Sequence, residues 1–95
     1  MADKAWKAFE RRVADFFHGQ RNPLSGSNSR ITAGDVIHER LFIECKQRQR
    51  IAVIRLWDSV KRLADKEHKT PVVCLSEHNR KGFWLLIHAD DFLKI

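Results

Sequence analysis

Two carboxylates and an ammonium group lie close together in the sequence as Asp35, Glu44 and Lys46. Carboxylate oxygens are hard ligands that suit Mg²⁺ or Mn²⁺, and Mg²⁺ is usually held by one or two carboxylates while it keeps several waters. The backbone carbonyl of Cys45 is a candidate further ligand. Lys46 would orient the attacking water or stabilise charge developing on a phosphate. Together these residue types predict metal-assisted hydrolysis of a phosphodiester.

The spacing of these residues fits a β-hairpin. Residues 35–38 and 41–46 have the composition of two strands joined by a turn at residues 39–40. In that hairpin, positions whose numbers sum to 79 face each other, which sets Asp35 opposite Glu44. Like charges in such a pair are destabilising, and a divalent cation between them removes that cost. The opposite, inward face of the hairpin is predicted to carry Val36, Leu41, Ile43 and Cys45.

An ordinary surface ion pair between Glu44 and Lys46 is the alternative to this site. A Glu-x-Lys spacing alone has low specificity, because any basic protein contains several. The metal site is favoured by the register with Asp35, by the flanking apolar residues and by the basic segment over residues 47–50. Within that segment, Arg48 and Arg50 are best placed to contact a nucleic-acid backbone.

The first part of the chain predicts a helix and then a loop. Apolar residues recur at three- and four-residue steps over residues 4–18, which indicates an amphipathic helix capped by Asp3 and ended by Gly19. Glu10 lies on or beside the apolar stripe of this helix. Residues 20–34 are rich in Ser, Asn, Gly and Pro and are predicted to be an exposed loop.

The remaining elements complete a mixed architecture. Residues 51–67 have helical periodicity, and residues 72–75 and 83–87 are predicted strands joined by a turn at residues 79–82. Residues 90–95 are a short helix or a tail. The order helix, strand, strand, helix, strand, strand predicts an α/β sandwich with a mixed central sheet.

Length and charge limit the classes of function. A chain of 95 residues is predicted to be a single domain over residues 1–95, for which a dimer interface would bury additional surface. Its net charge of +6 favours a polyanionic partner such as nucleic acid. The sequence predicts a cytoplasmic or intracellular protein, with nucleoid-associated and viral origins left open. The reasons are that both cysteines lie in apolar runs and that the chain has neither an apolar N-terminal segment nor an apolar run of membrane length.

The site residues resemble a known superfamily. Asp35 followed by Glu44-Cys45-Lys46 at the end of an apolar strand resembles the PD-(D/E)xK nucleases, most closely the archaeal-type Holliday-junction resolvases. Glu10-Arg11 matches the Glu-Arg pair on the first helix of those enzymes, and residues 25–30 match their basic Ser/Gly-rich loop. The similarity covers nearly the whole chain.

The resemblance implies a restriction-endonuclease-like α-β-β-α-β-β core, with a mixed central sheet flanked by helices, in a homodimer that acts on branched DNA. It implies that Asp35 and Glu44 bind Mg²⁺, for which Mn²⁺ substitutes. Lys46 would be the catalytic lysine, and Glu10 would lie near the metal through water. The predicted DNA contacts, from the resemblance and from the charges, are Arg11, Arg21, Ser25, Gly26, Ser27, Arg30, Arg48 and Arg50.

Several functions remain open at this point. A structure-selective endonuclease is the first hypothesis, and a phage- or mobile-element-type nuclease acting on flaps, ends or nicks is the second. A toxin or restriction nuclease is a further class. A non-catalytic basic DNA-binding module is the non-enzyme alternative, which predicts salt-sensitive binding that needs no metal.

Overall fold

The computed structural model describes residues 4–24 and 31–95, which form two compact units. The first unit spans Met1–Gln49 and the second spans Arg50–Ile95. Helices and small antiparallel sheets both occur, so the predicted mixed α/β class is confirmed in that coarse form. No helix within the described ranges combines the length and the apolar character needed to cross a bilayer.

The first unit begins with helix α1, Ala5–Phe16, within the predicted bounds. Ala14 is buried in the core of the unit, whereas Lys4 at the N-cap is extended and gives no side-chain cap. The predicted cap, Asp3, lies outside the described residues. The helix ends because His18 adopts a left-handed conformation with φ 57°. Gly19 then donates its backbone N–H to the carbonyl of Ala14 at 2.8 Å, which closes a Schellman motif.

Two short strands follow, β1 at Gln20–Arg21 and β2 at Val36–Ile37, and they pair antiparallel. The prediction of a loop over residues 20–34 is therefore wrong at its first two positions. Both β1 residues are polar and carry no apolar alternation, and their strand character comes from pairing with β2, which is distant in sequence. Gly19 is needed at this junction because a Cβ atom there would collide with the carbonyl oxygen of Ile37.

The predicted hairpin register is confirmed, but its strands are shorter than predicted. An isolated antiparallel bridge joins Val36 to Ile43, whose numbers sum to 79. Apart from β2 and this bridge, residues 35–38 and 41–46 form no strand. Val36, Ile43 and half-buried Cys45 face the core with Ala14, as predicted. Leu41 was expected on that face and is 46% exposed instead.

The turn at residues 39–40 is held by a side chain. Nδ1 of His38 accepts the backbone N–H groups of Arg40 at 3.0 Å and of Leu41 at 3.1 Å. Glu39-Arg40 is not a favoured turn pair, and this imidazole supplies the acceptor that stabilises the turn.

The second unit contains helix α2, Ala52–Lys66, close to its predicted bounds. An antiparallel hairpin of β3, Val73–Leu75, and β4, Trp84–Leu86, follows as predicted, and α3 occupies Ala89–Phe92. The described strands form two separate two-stranded antiparallel sheets, which is a correction to the single mixed sheet that was predicted. Each strand has only two or three residues, so short-range alternation overstated their extent.

Helix α2 ends in the same way as α1, and this generates a stability prediction. His68 has φ 56°, a conformation that costs an L-residue with a Cβ about 1–2 kcal/mol and that glycine adopts readily. We expect His68→Gly to raise the free energy of unfolding by about 0.5–1 kcal/mol after the extra chain entropy of glycine is subtracted. Urea unfolding followed by circular dichroism measures this.

The matched control is His78→Gly, since His78 is also exposed and lacks a positive φ. We expect that variant to be no more stable than the wild type. Equal effects of the two substitutions would show that the left-handed conformation is not the cause.

Candidate active site

Asp35 is held at three points. Its backbone N–H donates to the carbonyl of Ile43 at 2.8 Å, and its own carbonyl accepts the N–H of Asn22 at 2.9 Å. Its carboxylate oxygen Oδ2 accepts the backbone N–H of Cys45 at 2.6 Å. The carboxylate is therefore fixed against the segment that carries Glu44 and Lys46. The bridge between Val36 and Ile43 has the predicted register, whereas the bond from the Asp35 N–H to the Ile43 carbonyl is one residue out of that register.

Gly34 allows the close approach that this arrangement requires. A Cβ atom at Gly34 would lie 2.9 Å from the carbonyl oxygen of Ile43, closer than side chains come in practice. The N–H of Gly34 donates to Oγ1 of Thr32 at 3.1 Å, which fixes the chain just before Asp35. Glycine is thus required before Asp35, because a side chain there would collide with the neighbouring backbone.

Glu44 and Lys46 are exposed, with 48% and 64% of their side chains accessible, and Oε1 of Glu44 lies 3.4 Å from Nζ of Lys46. Such an exposed pair contributes little to folding stability. The two groups are therefore weakly held and accessible to a ligand from solvent. The predicted common face for Glu44 and Lys46 agrees with this contact.

Glu10 is placed in a more enclosed setting than the other two carboxylates. Its side chain is 12% exposed, and its Oε1 lies 2.8 Å from Nε of Arg21, which donates a hydrogen bond. The guanidinium carbon of Arg21 also lies 5.5 Å from the centroid of the Trp6 ring. Arg21 was predicted as a DNA contact, and in this structure it orients Glu10 against an aromatic surface.

The thiol of Cys45 reports how these carboxylates are arranged. The pKa of Cys45 is raised from 9.0 to about 11, mainly by burial and then, in decreasing order, by the negative charges of Asp35, Glu10 and Glu44. Three carboxylates from three separate segments thus act on one sulfur atom. The thiol stays protonated at neutral pH and behaves as a small apolar group.

Two cavities adjoin this cluster. One has a volume of about 270 Å³ and connects the carboxylate of Glu10 with the basic groups that follow Cys45. It is lined by Trp6, Phe9, Glu10, Cys45, Lys46, Gln47 and Arg48. The other, of about 530 Å³, is mainly apolar and reaches Glu44 and Lys46 at its edge. The first, polar cavity has the carboxylate of Glu10 on one side and the basic groups of Lys46 and Arg48 on the other.

The donor atoms fit a hard divalent cation held by few protein ligands. Within residues 4–24 and 31–95, no three His, Cys, Asp or Glu side chains are grouped closely enough to form a metal site by themselves. Asp35 and Glu44 nonetheless supply two carboxylates of the type that Mg²⁺ takes alongside several waters. The backbone carbonyl of Cys45 stays a predicted third ligand.

The predicted DNA contacts are only partly described. Arg11, Arg48 and Arg50 are exposed, which is compatible with a phosphate contact. Ser25, Gly26, Ser27 and Arg30 lie outside the described residues. Arg50 opens the second unit, whereas Arg48 lines the polar cavity beside Lys46.

Sequence reasoning missed Asn22, which is 5% exposed and contacts the backbone of residues 32–35. The available signal was the Asn22-Pro23 dipeptide, because asparagine before proline commonly starts a turn. Oδ1 of Asn22 does accept the N–H of Leu24 at 3.2 Å, as such a turn requires.

None of the family models, curated proteins or solved structures compared with the chain matches it. The site is therefore interpreted from its own geometry and chemistry.

The raised pKa of Cys45 can be tested in EDTA in a Cys74→Ser background, which leaves one thiol. At pH 8 a thiol of pKa 9.0 is about one-tenth thiolate, whereas a pKa of about 11 leaves about one part in a thousand. We expect slow alkylation of Cys45 whose rate rises with pH toward 11, measured by mass spectrometry. Asp35→Asn removes a negative charge, lowers the pKa and accelerates alkylation at pH 8.

The matched control is Asp15→Asn on the exposed side of α1, since Asp15 has no part in the pKa of Cys45. It should leave the pH profile unchanged. Fast alkylation of the wild type at pH 8 would contradict the raised pKa, and an unchanged rate in Asp35→Asn would contradict the contribution of the Asp35 carboxylate.

Proposed function

We propose that the chain is a Mg²⁺-dependent endodeoxyribonuclease, with Mn²⁺ as a substitute metal. The observation that carries this proposal is the hydrogen bond that fixes the Asp35 carboxylate against the segment bearing the exposed Glu44–Lys46 pair. The net charge of +6 supports a polyanionic substrate. We further propose that the element order α-β-β-α-β-β is that of a restriction-endonuclease-like fold, as the sequence resemblance implies.

In this proposal Asp35 and Glu44 hold the cation, and the carbonyl of Cys45 completes the protein ligands. When bound, Mg²⁺ would polarise the scissile phosphate and lower the pKa of a coordinated water. Asp35 suits the role of ligand because the Cys45 N–H already occupies Oδ2 and fixes the direction of Oδ1. A preset ligand loses little entropy when the cation binds.

Lys46 and Glu10 have separate roles. The ammonium group of Lys46 moves from Glu44 to an oxygen of the phosphate, where it stabilises the negative charge that develops during hydrolysis. Glu10, oriented by Arg21, would accept a hydrogen bond from a water in the site. Arg11, Arg48 and the predicted contacts in residues 25–30 hold the flanking phosphates.

Branched DNA is the proposed substrate, and a homodimer inside the cell is the proposed active form. The support is the resemblance of the Glu10-Arg11 pair, the Ser/Gly-rich segment and the Asp35, Glu44, Lys46 set to junction resolvases. Two copies would present two sites to opposed strands of a junction, whereas one site would nick one strand.

The nuclease proposal is tested with labelled DNA and 5–10 mM metal, roughly the excess needed for a weakly held Mg²⁺. We expect cleavage in Mg²⁺ or Mn²⁺ and none in EDTA. Lys46→Ala should lower the cleavage rate about 10²–10³-fold, because it removes the charge-stabilising donor. Asp35→Asn should lower it by at least about 10²-fold, because it weakens metal binding.

Lys61→Ala is the control for loss of positive charge, since Lys61 is exposed and pairs with Asp65 within α2. It should cleave at the wild-type rate. Salt-sensitive DNA binding without cleavage in either metal would instead support a non-catalytic binding module, and unchanged cleavage by Asp35→Asn and Lys46→Ala would exclude this site.

The substrate is tested by comparing a four-way junction with flap, nicked and linear duplexes of the same sequence. We expect the junction to be cut at least ~10-fold faster at limiting enzyme, a difference of about 1.4 kcal/mol in transition-state stabilisation. The mass of the complex, from light scattering, should correspond to two chains per junction. Faster cleavage of flaps or nicks would assign the phage-type activity and remove the junction assignment.

A further inference from the structure

Asn22 is a buried polar residue whose donor groups all bond the segment that leads to Asp35. Its side-chain amide donates to the carbonyl of Thr32 at 3.1 Å and to the carbonyl of Gly34 at 3.0 Å. Its Oδ1 accepts the N–H of Leu24, and its backbone N–H donates to the carbonyl of Asp35. Both amide hydrogens are thus used, and the side chain is satisfied although it is 5% exposed.

These contacts connect two segments that are separated in sequence. Asn22 directly follows strand β1, and the carbonyls that it binds belong to the residues that enter β2. The link continues through Gly34, which packs against Ile43, to the Asp35 carboxylate and the Cys45 N–H. A displacement at Asn22 would therefore reach the carboxylate through a short chain of fixed backbone groups.

We propose that Asn22 is a positioning residue for the Asp35 carboxylate. Its amide group sets the backbone of residues 32–35 so that Oδ2 of Asp35 meets the Cys45 N–H and Oδ1 is aimed for a ligand. The proposal rests on the proposed nuclease function only where it assigns that ligand as a divalent cation. The positioning itself is a property of the protein without metal.

The amide of asparagine is specifically suited to this position. Aspartate has the same shape, but its oxygens would face the carbonyls of Thr32 and Gly34 and repel them. Alanine leaves both carbonyls without their donor, and each buried unpaired group is unfavourable. Glutamine adds a methylene group in a buried location. If the side chain of Asn22 only filled space, aspartate would be tolerated at this position.

The experiment compares wild type, Asn22→Asp, Asn22→Ala and a control, Ala8→Gly, by ¹⁵N-resolved NMR in EDTA and then by Mn²⁺ binding. The Cys45 amide proton should resonate far downfield in the wild type, because it is bonded to a carboxylate at 2.6 Å. Both Asn22 variants should shift it upfield. Their Kd for Mn²⁺ should rise about 10–100-fold, as when a residue orienting a metal ligand is lost.

Ala8→Gly provides the control for reduced stability. Ala8 lies in α1 and forms no hydrogen bond with the Asp35 segment, and glycine there weakens the helix. It should lower the thermal midpoint without moving the Cys45 amide resonance or the Kd for Mn²⁺. Circular dichroism establishes that each variant is folded before the resonances are compared.

The outcomes separate positioning from function. An unmoved Cys45 resonance in folded Asn22→Asp overturns the proposal, as does a failure of both Asn22 variants to fold. A moved resonance together with weaker Mn²⁺ binding supports it. If the resonance moves but the wild type binds no Mn²⁺, the positioning role stands and the proposed nuclease function fails.

Discussion

The hydrogen bond from the Cys45 N–H to the Asp35 carboxylate is the contact on which the candidate site depends. The pairing of Val36 with Ile43 is an isolated bridge, and beyond it the Cys45 N–H bonds a side chain of the facing segment. Because the acceptor is ionised, this bond is stronger than a neutral one. The absence of a Cβ at Gly34 permits the required approach.

The three carboxylates of the site are compensated in different ways. Glu10 is paired with an enclosed guanidinium group, Asp35 with a peptide N–H, and Glu44 with an exposed ammonium group. An arginine fixed by a hydrogen bond and a ring keeps its position, whereas an exposed lysine exchanges partners easily. Lys46 is therefore the group able to leave its carboxylate for an incoming phosphate. Once Lys46 has left, the carboxylate of Glu44 would be available to bind a cation.

The sequence predicted the elements with strong periodicity and the residues of the cluster, but not the contacts between distant segments. Helices α1 and α2 followed from their apolar stripes, and the hairpin register followed from the turn placed at residues 39–40. Strand β1 was missed because it is polar and its partner is remote. The role of Asn22 was missed for a related reason, since its partners are carbonyl groups, which no residue type marks.

The contact of Arg21 with Glu10 and its predicted contact with DNA are compatible. A guanidinium group has five N–H donors, and the Glu10 contact uses Nε alone. Among the described residues no hydrogen bond is assigned to its terminal nitrogens, and 22% of the side chain is accessible. A phosphate bound to those nitrogens would weaken the interaction of the Arg21 guanidinium group with Glu10. The Glu10 carboxylate would then be a stronger hydrogen-bond acceptor. In the proposed nuclease, a bound phosphate would thereby act on a water near Glu10 through Arg21, without any movement of Asp35.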